Sequence, residues 1–134
     1  MSDPIILYVE DDELSREVMY TLLTRGLGYT SVTVFQNSSE FELNLETLST
    51  IPDVIFLDIQ MEPIDGFTML GLIRQKTKYD STRVVALTAS VMNEEVKKLK
   101  DAGFNGVIAK PLNYETFPNA LRRILAKEDI WSIK

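Results

Sequence analysis

The stretch that most limits how this chain can fold is Val54-Ile55-Phe56-Leu57, flanked by Asp53 and Asp58. Four successive apolar residues of β-branched and aromatic type read as a strand buried on both faces. Such a strand lies inside a parallel sheet with helices above and below it. It runs directly into Asp58 and then into the turn-rich segment Gln60-Met61-Glu62-Pro63-Ile64-Asp65-Gly66. In an open α/β sheet, ligands bind outside the carboxyl ends of the strands. An acid at position 58 therefore stands where chemistry is expected.

The rest of the chain repeats the pattern. Ile5-Ile6-Leu7-Tyr8-Val9 is another buried-strand run and ends in Glu10-Asp11-Asp12-Glu13. Leu14, Val18 and Leu22 then recur at helical spacing, with Gly26 suited to a left-handed cap. Thr30 to Phe35 reads as a strand of partial alternation. Asn37 and Glu40 resemble a capping box ahead of the stripe Phe41, Leu45, Leu48. After the opening strand, Phe67, Leu70 and Ile73 mark a third helix. Arg83 to Leu87 is a fourth strand ending in Thr88-Ala89-Ser90, and Asn93 can cap a helix carrying Val96 and Leu99, which closes at Ala102-Gly103. Gly106 to Ala109 is a short fifth strand ending in Lys110-Pro111. Tyr114, Phe117, Leu121, Ile124 and Leu125 form the last helical face. That helix is expected to begin near Thr116, so that Pro118 falls in its first turn.

Strand and helix alternate five times. The fold class is therefore α/β: a flavodoxin-like (βα)5 doubly wound sheet of five parallel strands in the order 2-1-3-4-5. This order puts the first and third strands side by side. Asp11 and Asp12 then meet Asp58 at one edge of the sheet, with Thr88 and Lys110 ending the fourth and fifth strands there. Asp12 is equally well placed to cap the first helix, a role that does not exclude metal binding. Residues 1–127 are expected to form the domain, with 128–134 as a tail. Trp131 either anchors that tail or marks an interface.

Two absences narrow the chemistry. With no cysteine and no histidine among 134 residues, thiolate or imidazole metal sites, Cys nucleophiles and Ser-His-Asp hydrolysis are excluded. A metal here must be hard and oxygen-bound, meaning magnesium, manganese or calcium. Clustered carboxylates repel one another, and a proton or a divalent cation relieves the strain. Mg²⁺ beside a lysine and a hydroxyl suits a phosphoryl group, and a carboxylate can itself be the nucleophile. Asp58 is thus a phosphoacceptor candidate. A net charge of -6 speaks against a nucleic-acid surface. No apolar run reaches the roughly 18 residues of a membrane span, and Met1-Ser2-Asp3-Pro4 lacks the features of a signal peptide. A cytoplasmic location is expected, as a monomer or weak dimer with no membrane partner.

Taken together, Glu10-Asp11-Asp12, Asp58 with Met61 and Asp65-Gly66, Thr88-Ala89 and Lys110-Pro111 resemble the receiver domain of two-component response regulators, over roughly Ile5 to Ala126. The resemblance implies that Asp58 is the phosphoacceptor, with Asp11, Asp12, Asp58 and the Gln60 backbone carbonyl holding Mg²⁺, for which Mn²⁺ can substitute. It implies Thr88 as the switch hydroxyl and Lys110 as the contact to the phosphoryl group. The donor would be a histidine kinase, a phosphotransfer protein or a small molecule. The output would be a protein target bound at the face of the fourth helix, fifth strand and fifth helix. No output domain is evident, so a stand-alone receiver without separate substrate turnover is expected.

The family often has proline where this chain has Glu62, with Pro63 one position later. Val107 stands where an aromatic residue is common, three residues before the lysine. Two other readings compete. An aspartate-nucleophile phosphatase of the haloacid dehalogenase type needs a second acid two residues after the nucleophile, where this chain has Gln60. A pseudo-receiver would keep the fold as a binding module without the chemistry. Lys97, Lys98 and Lys100 are either a docking patch or a solvated helix face. Gln60 and Ser90 flank the site and are placed to tune water access to an acyl phosphate.

Overall fold

The computed structural model describes residues 3–131. Met1-Ser2 of the amino-terminal segment and 132–134 of the expected tail lie outside the described residues. Five strands, β1 (Ile5–Val9), β2 (Ser31–Phe35), β3 (Val54–Asp58), β4 (Arg83–Thr88) and β5 (Gly106–Ala109), alternate with helices. The helices are α1 (Glu13–Thr21), α2 (Phe41–Glu46), α3 (Gly66–Arg74), α4 (Asn93–Ala102) and α5 (Phe117–Leu125). The sheet is parallel throughout, in the order β2-β1-β3-β4-β5. That is the doubly wound order expected from the sequence.

Alternation along the strands divides the core in two. Leu7, Val9, Ile55, Leu57, Val84, Ala86 and Val107 face α2, α3 and α4, which contribute Phe41, Leu45, Met69, Leu70, Ile73 and Leu99. Ile6, Tyr8, Val54, Phe56, Val85 and Leu87 face α1 and α5, which contribute Met19, Phe117, Leu121 and Ile124. Every residue of β3 is buried, as its unbroken apolar run demands. The outer strand β2 is exposed at Ser31 and Thr33.

Three helix boundaries differ from expectation, the first two because a local hydrogen bond wins. The first helix does not cap at Gly26 but widens into a π turn over Leu22–Gly26. Here Leu27 and Gly28 donate backbone N–H bonds to the carbonyls of Leu22 and Thr24, and the left-handed residue is Gly28, at φ 75°. Asn37 forms no capping box. Its Oδ1 accepts from the Ser39 backbone N–H at 3.1 Å and the Ser39 hydroxyl at 2.7 Å, and Glu40 stands at the cap position without a side-chain bond. Asn93 is the first helical residue, and Met92 occupies the cap position without a side-chain bond. The last helix follows expectation, with Thr116 at its cap and Pro118 in its first turn. Lys110-Pro111 and Glu62-Pro63 are cis.

The tail has a place after all. Ile130 forms a parallel bridge with Gly106. Its carbonyl accepts from the Val107 N–H at 2.8 Å, and its N–H donates to the Asn105 carbonyl at 3.2 Å. Asp129 pairs with Arg83, Glu128 pairs with Arg123 at 3.1 Å, and Lys100 lies 5.3 Å from the centre of the half-buried Trp131 ring. Trp131 packs against the α2–α3–α4 side of the core. A Cβ at position 106 would lie 2.9 Å from the Ile130 carbonyl oxygen and 3.1 Å from its nitrogen. Only glycine lets the two backbones approach this closely.

Gly106→Ala is therefore expected to lift the tail from β5 at a cost of about 1–3 kcal/mol. Urea unfolding measures the loss. Emission from Trp131, the single tryptophan, should shift to longer wavelength; an unchanged spectrum would show that the tail tolerates the side chain.

Candidate functional site

The carboxyl ends of β1, β3 and β5 converge on one cluster. Tyr8 and Phe56 face the α1–α5 side, as does Ile108, which packs against that part of the core. Side chains two residues on share a face, so Glu10, Asp58 and Lys110 extend those three rows past the apolar core. Glu10 is fully buried and Asp58 is 6% exposed. The Lys110 ammonium bridges them, 2.9 Å from Glu10 Oε1 and 3.3 Å from Asp58 Oδ2. Glu10 Oε1 also accepts from the Tyr8 hydroxyl at 2.8 Å, and Oε2 from the Asp12 backbone N–H at 3.2 Å. Asp58 Oδ1 accepts from the Gln60 backbone N–H at 3.1 Å, which curls the loop after β3 over the carboxylate. A Cβ at Gly66 would lie 3.1 Å from the Asp58 carbonyl oxygen, so α3 starts hard against the same strand end.

Carboxylate oxygens of Glu10, Asp11 and Asp58 lie within 4.8 Å of one another. Asp12, expected in this cluster, is not part of it. Its Oδ2 accepts from both the backbone N–H and the hydroxyl of Ser15, each at 2.8 Å, which makes it the cap of α1. These bonds hold its carboxyl below the usual range. Glu10 takes the position that sequence reasoning gave to Asp12. The signal was available: Glu10, not Asp12, continues the buried Tyr8 row with a period of two.

Thr88 is buried at the end of β4, paired with Ala109. It belongs to the Ala86 row, so its side chain points to the α4 side of the sheet. There its Oγ1 accepts from the Ser90 N–H at 3.1 Å. Among the described residues it shares no hydrogen bond with Asp58.

The electrostatics follow from burial with too few cations. Burial, then the hydrogen bond and charge of Glu10, push the Asp58 carboxyl up to about 7, against the pull of Lys110. Glu10 moves the opposite way: burial opposes its charge, but bonds with Asp58, Lys110 and Tyr8 outweigh that and lower it. Lys110 is disfavoured by burial, yet its two carboxylate partners raise it. Without a cation, Asp58 is thus the member that keeps a proton near neutrality. The donor set is all oxygen and acidic, which fits a hard divalent ion.

A family model for the response regulator receiver domain matches residues 6–122. The chain is a receiver domain. Among curated relatives it is 27% identical over 127 residues to the sensor histidine kinase CheAY of Helicobacter pylori, covering 95% of this chain and 16% of that protein. It is 34% identical to hybrid signal transduction histidine kinase G of Dictyostelium discoideum, covering 88% of this chain and 3% of that one. The receiver thus spans a small fraction of these relatives. Its fold superimposes on chemotaxis response regulator CheY4 of Vibrio cholerae with a TM-score of 0.78 at 27% identity, over 92% of this chain and 99% of that one. A second solved structure, the receiver domain of sensor histidine kinase PA1611 from Pseudomonas aeruginosa, has a TM-score of 0.79 at 26% identity over 93% and 99% of the two chains. That structure carries a magnesium ion in its active-site cleft.

The raised Asp58 carboxyl makes a pH-dependent prediction for the metal-free receiver. The folded state binds this proton more tightly than the unfolded chain does. The stability it contributes is complete below the unfolded value near 3.8 and is lost as pH rises through about 7. Between pH 4 and 8 the wild type should lose on the order of a few kcal/mol that Asp58→Asn does not lose. Denaturant unfolding of both proteins in chelator, followed against pH, measures the difference, and parallel curves would refute it.

Proposed function

We propose that this receiver accepts a phosphoryl group on Asp58 from a histidine kinase or a histidine phosphotransfer protein. The observation that carries the reading is a nearly buried carboxylate at the end of the central strand, 3.3 Å from Lys110 and within an oxygen-only acid cluster. Glu10, Asp11, Asp58 and the Gln60 carbonyl would hold Mg²⁺, with Mn²⁺ as a substitute. When bound, that ion would supply charge neutralisation for the phosphoryl oxygens and favour the ionised form of Asp58. The magnesium bound in the PA1611 receiver supports this.

An ionised Asp58 oxygen attacks phosphorus. An O–P bond forms, the N–P bond of the phosphohistidine donor breaks, and its electron pair stays on the imidazole. No general base is needed, because the nucleophile carries no proton once ionised. Lys110 draws one phosphoryl oxygen by charge and hydrogen bond, and loses part of its present hold on Asp58 in doing so. Thr88 offers a hydroxyl from the neighbouring strand end; its Oγ1 accepts from the Ser90 N–H, and its own O–H is free to donate to a phosphoryl oxygen. Water attack at phosphorus later restores the carboxylate and inorganic phosphate. The receiver turns over no separate substrate in this reading, and position 60 lacks the second acid of a phosphatase. The signal leaves through a protein target at the α4–β5–α5 face.

The test is incubation with Mg²⁺ and a small acyl-phosphate donor, followed by intact mass. Wild type should gain one phosphoryl group and Asp58→Ala none. Lys110→Met should slow adduct formation by about 10²–10³-fold, the range for losing one preorganised donor. No adduct on wild type, or one that survives in Asp58→Ala, would sink the proposal.

Gln60→Ala and Ser90→Ala are expected to change how fast the adduct decays more than how fast it forms. Time courses after removal of the donor read the decay, and identical decay in all three proteins would count against this.

A further inference from the structure

The Glu10 carboxylate accepts hydrogen bonds from Tyr8, Lys110 and the Asp12 N–H, and the chemistry of the site accounts for two of these donors. Lys110 belongs to the phosphoryl site, and the Asp12 N–H belongs to the start of α1. The Tyr8 hydroxyl, 2.8 Å from Glu10 Oε1, has no role so far. Tyr8 is 1% exposed, and its ring is locked in the α1–α5 half of the core with Met19, Phe56 and Phe117. A buried phenol needs a partner for its O–H, and here that partner is Glu10. An ionised carboxylate can only accept, so in this contact the phenol O–H is the donor.

The bond also depends on length. Tyr8 and Glu10 are two residues apart on one face of β1, so the ring lies beneath the carboxylate. Aspartate at position 10 would draw the carboxylate back by about 1.5 Å, one carbon–carbon bond. The contacts of Oε1 to the Tyr8 hydroxyl and the Lys110 ammonium could not then both be kept. A donor behind an acidic ligand fixes its orientation, and its loss typically costs 10–100-fold in metal affinity.

We infer that Tyr8 is a positioning residue, a buried hydroxyl that holds the Glu10 carboxylate in place within the cation-binding acid cluster. This rests on the reading of that cluster as the Mg²⁺ site.

The experiment is calorimetric titration of MgCl₂ into the full chain as wild type, Tyr8→Phe, Glu10→Asp and the double variant. Tyr8→Phe, which keeps the ring, should bind roughly tenfold more weakly than wild type. Tyr8→Met, a flexible filler without a hydroxyl, should show the same loss and guards against poor packing of the Phe ring. Because Tyr8 acts only through the longer side chain, the double variant should bind no more weakly than Glu10→Asp alone. A purely structural tyrosine would lower the melting temperature and leave the dissociation constant unchanged. Equal affinity of wild type and both Tyr8 variants overturns the inference, as does a full multiplication of the two losses in the double variant. Wild type that takes up no Mg²⁺ overturns the metal reading itself, and the positioning role with it.

Discussion

The structure of the site depends on one ammonium between two buried carboxylates. Glu10 is without solvent exposure and Asp58 nearly so, and two such anions side by side would be too costly without a partner. Lys110 satisfies both at once. The three residues come from three different strands, so this ion pairing works only if β1, β3 and β5 end at the same level. The parallel register provides that: Val9 aligns with Leu57, Asp58 with Leu87, and Thr88 with Ala109. The arrangement remains short of one positive charge, and Asp58 answers by holding its proton near neutrality. A site built one cation short is suited to take up a cation.

Strand alternation explains why these residues and not their neighbours meet. The rows that bury Tyr8, Phe56 and Ile108 against α1 and α5 end in Glu10, Asp58 and Lys110. The rows on the other face end in Val9, Leu57 and Thr88. Thr88 therefore approaches the site from across the sheet, held meanwhile by the Ser90 backbone. Polar chemistry is obtained here by extending an apolar pattern by one step.

Most of the fold was legible because burial of a parallel sheet leaves a strong mark: five β-branched runs, each ended by a polar residue. Asp58, Lys110 and Thr88 were legible as strand ends for the same reason. The Glu10-Asp11-Asp12 run was harder. Three consecutive acids look alike in sequence, and the choice among them rests on which one the pleat turns inward and which one the helix start consumes. Ser15 settles Asp12 by offering it two donors. Gly26 and Asn37 failed for a similar reason. Each has the right residue type for a cap, yet a π turn in one case and an Asx turn in the other satisfied the backbone first. The tail was legible only as Trp131, a candidate anchor; its bridge to β5 was not, because it runs through main-chain groups of Asn105 and Val107, which leave no pattern in side-chain type.

That tail bears on the site through β5. The strand has four residues, paired along one side with β4 and bridged on the other by Ile130. Its first residue must be glycine for the bridge to form, and Lys110 follows immediately after its last. A strand this short gains little from its own ladder, so its height in the sheet is set jointly by β4 and by the segment at 129–131. Arg83 links the two, since it begins β4 and pairs with Asp129. Lys110 bonds both carboxylates at once, at 2.9 and 3.3 Å, so its position relative to β1 and β3 decides whether both contacts are made. The placement of Lys110 beside Glu10 and Asp58 therefore draws on backbone contacts at the opposite end of the same strand, made by residues outside the acid cluster.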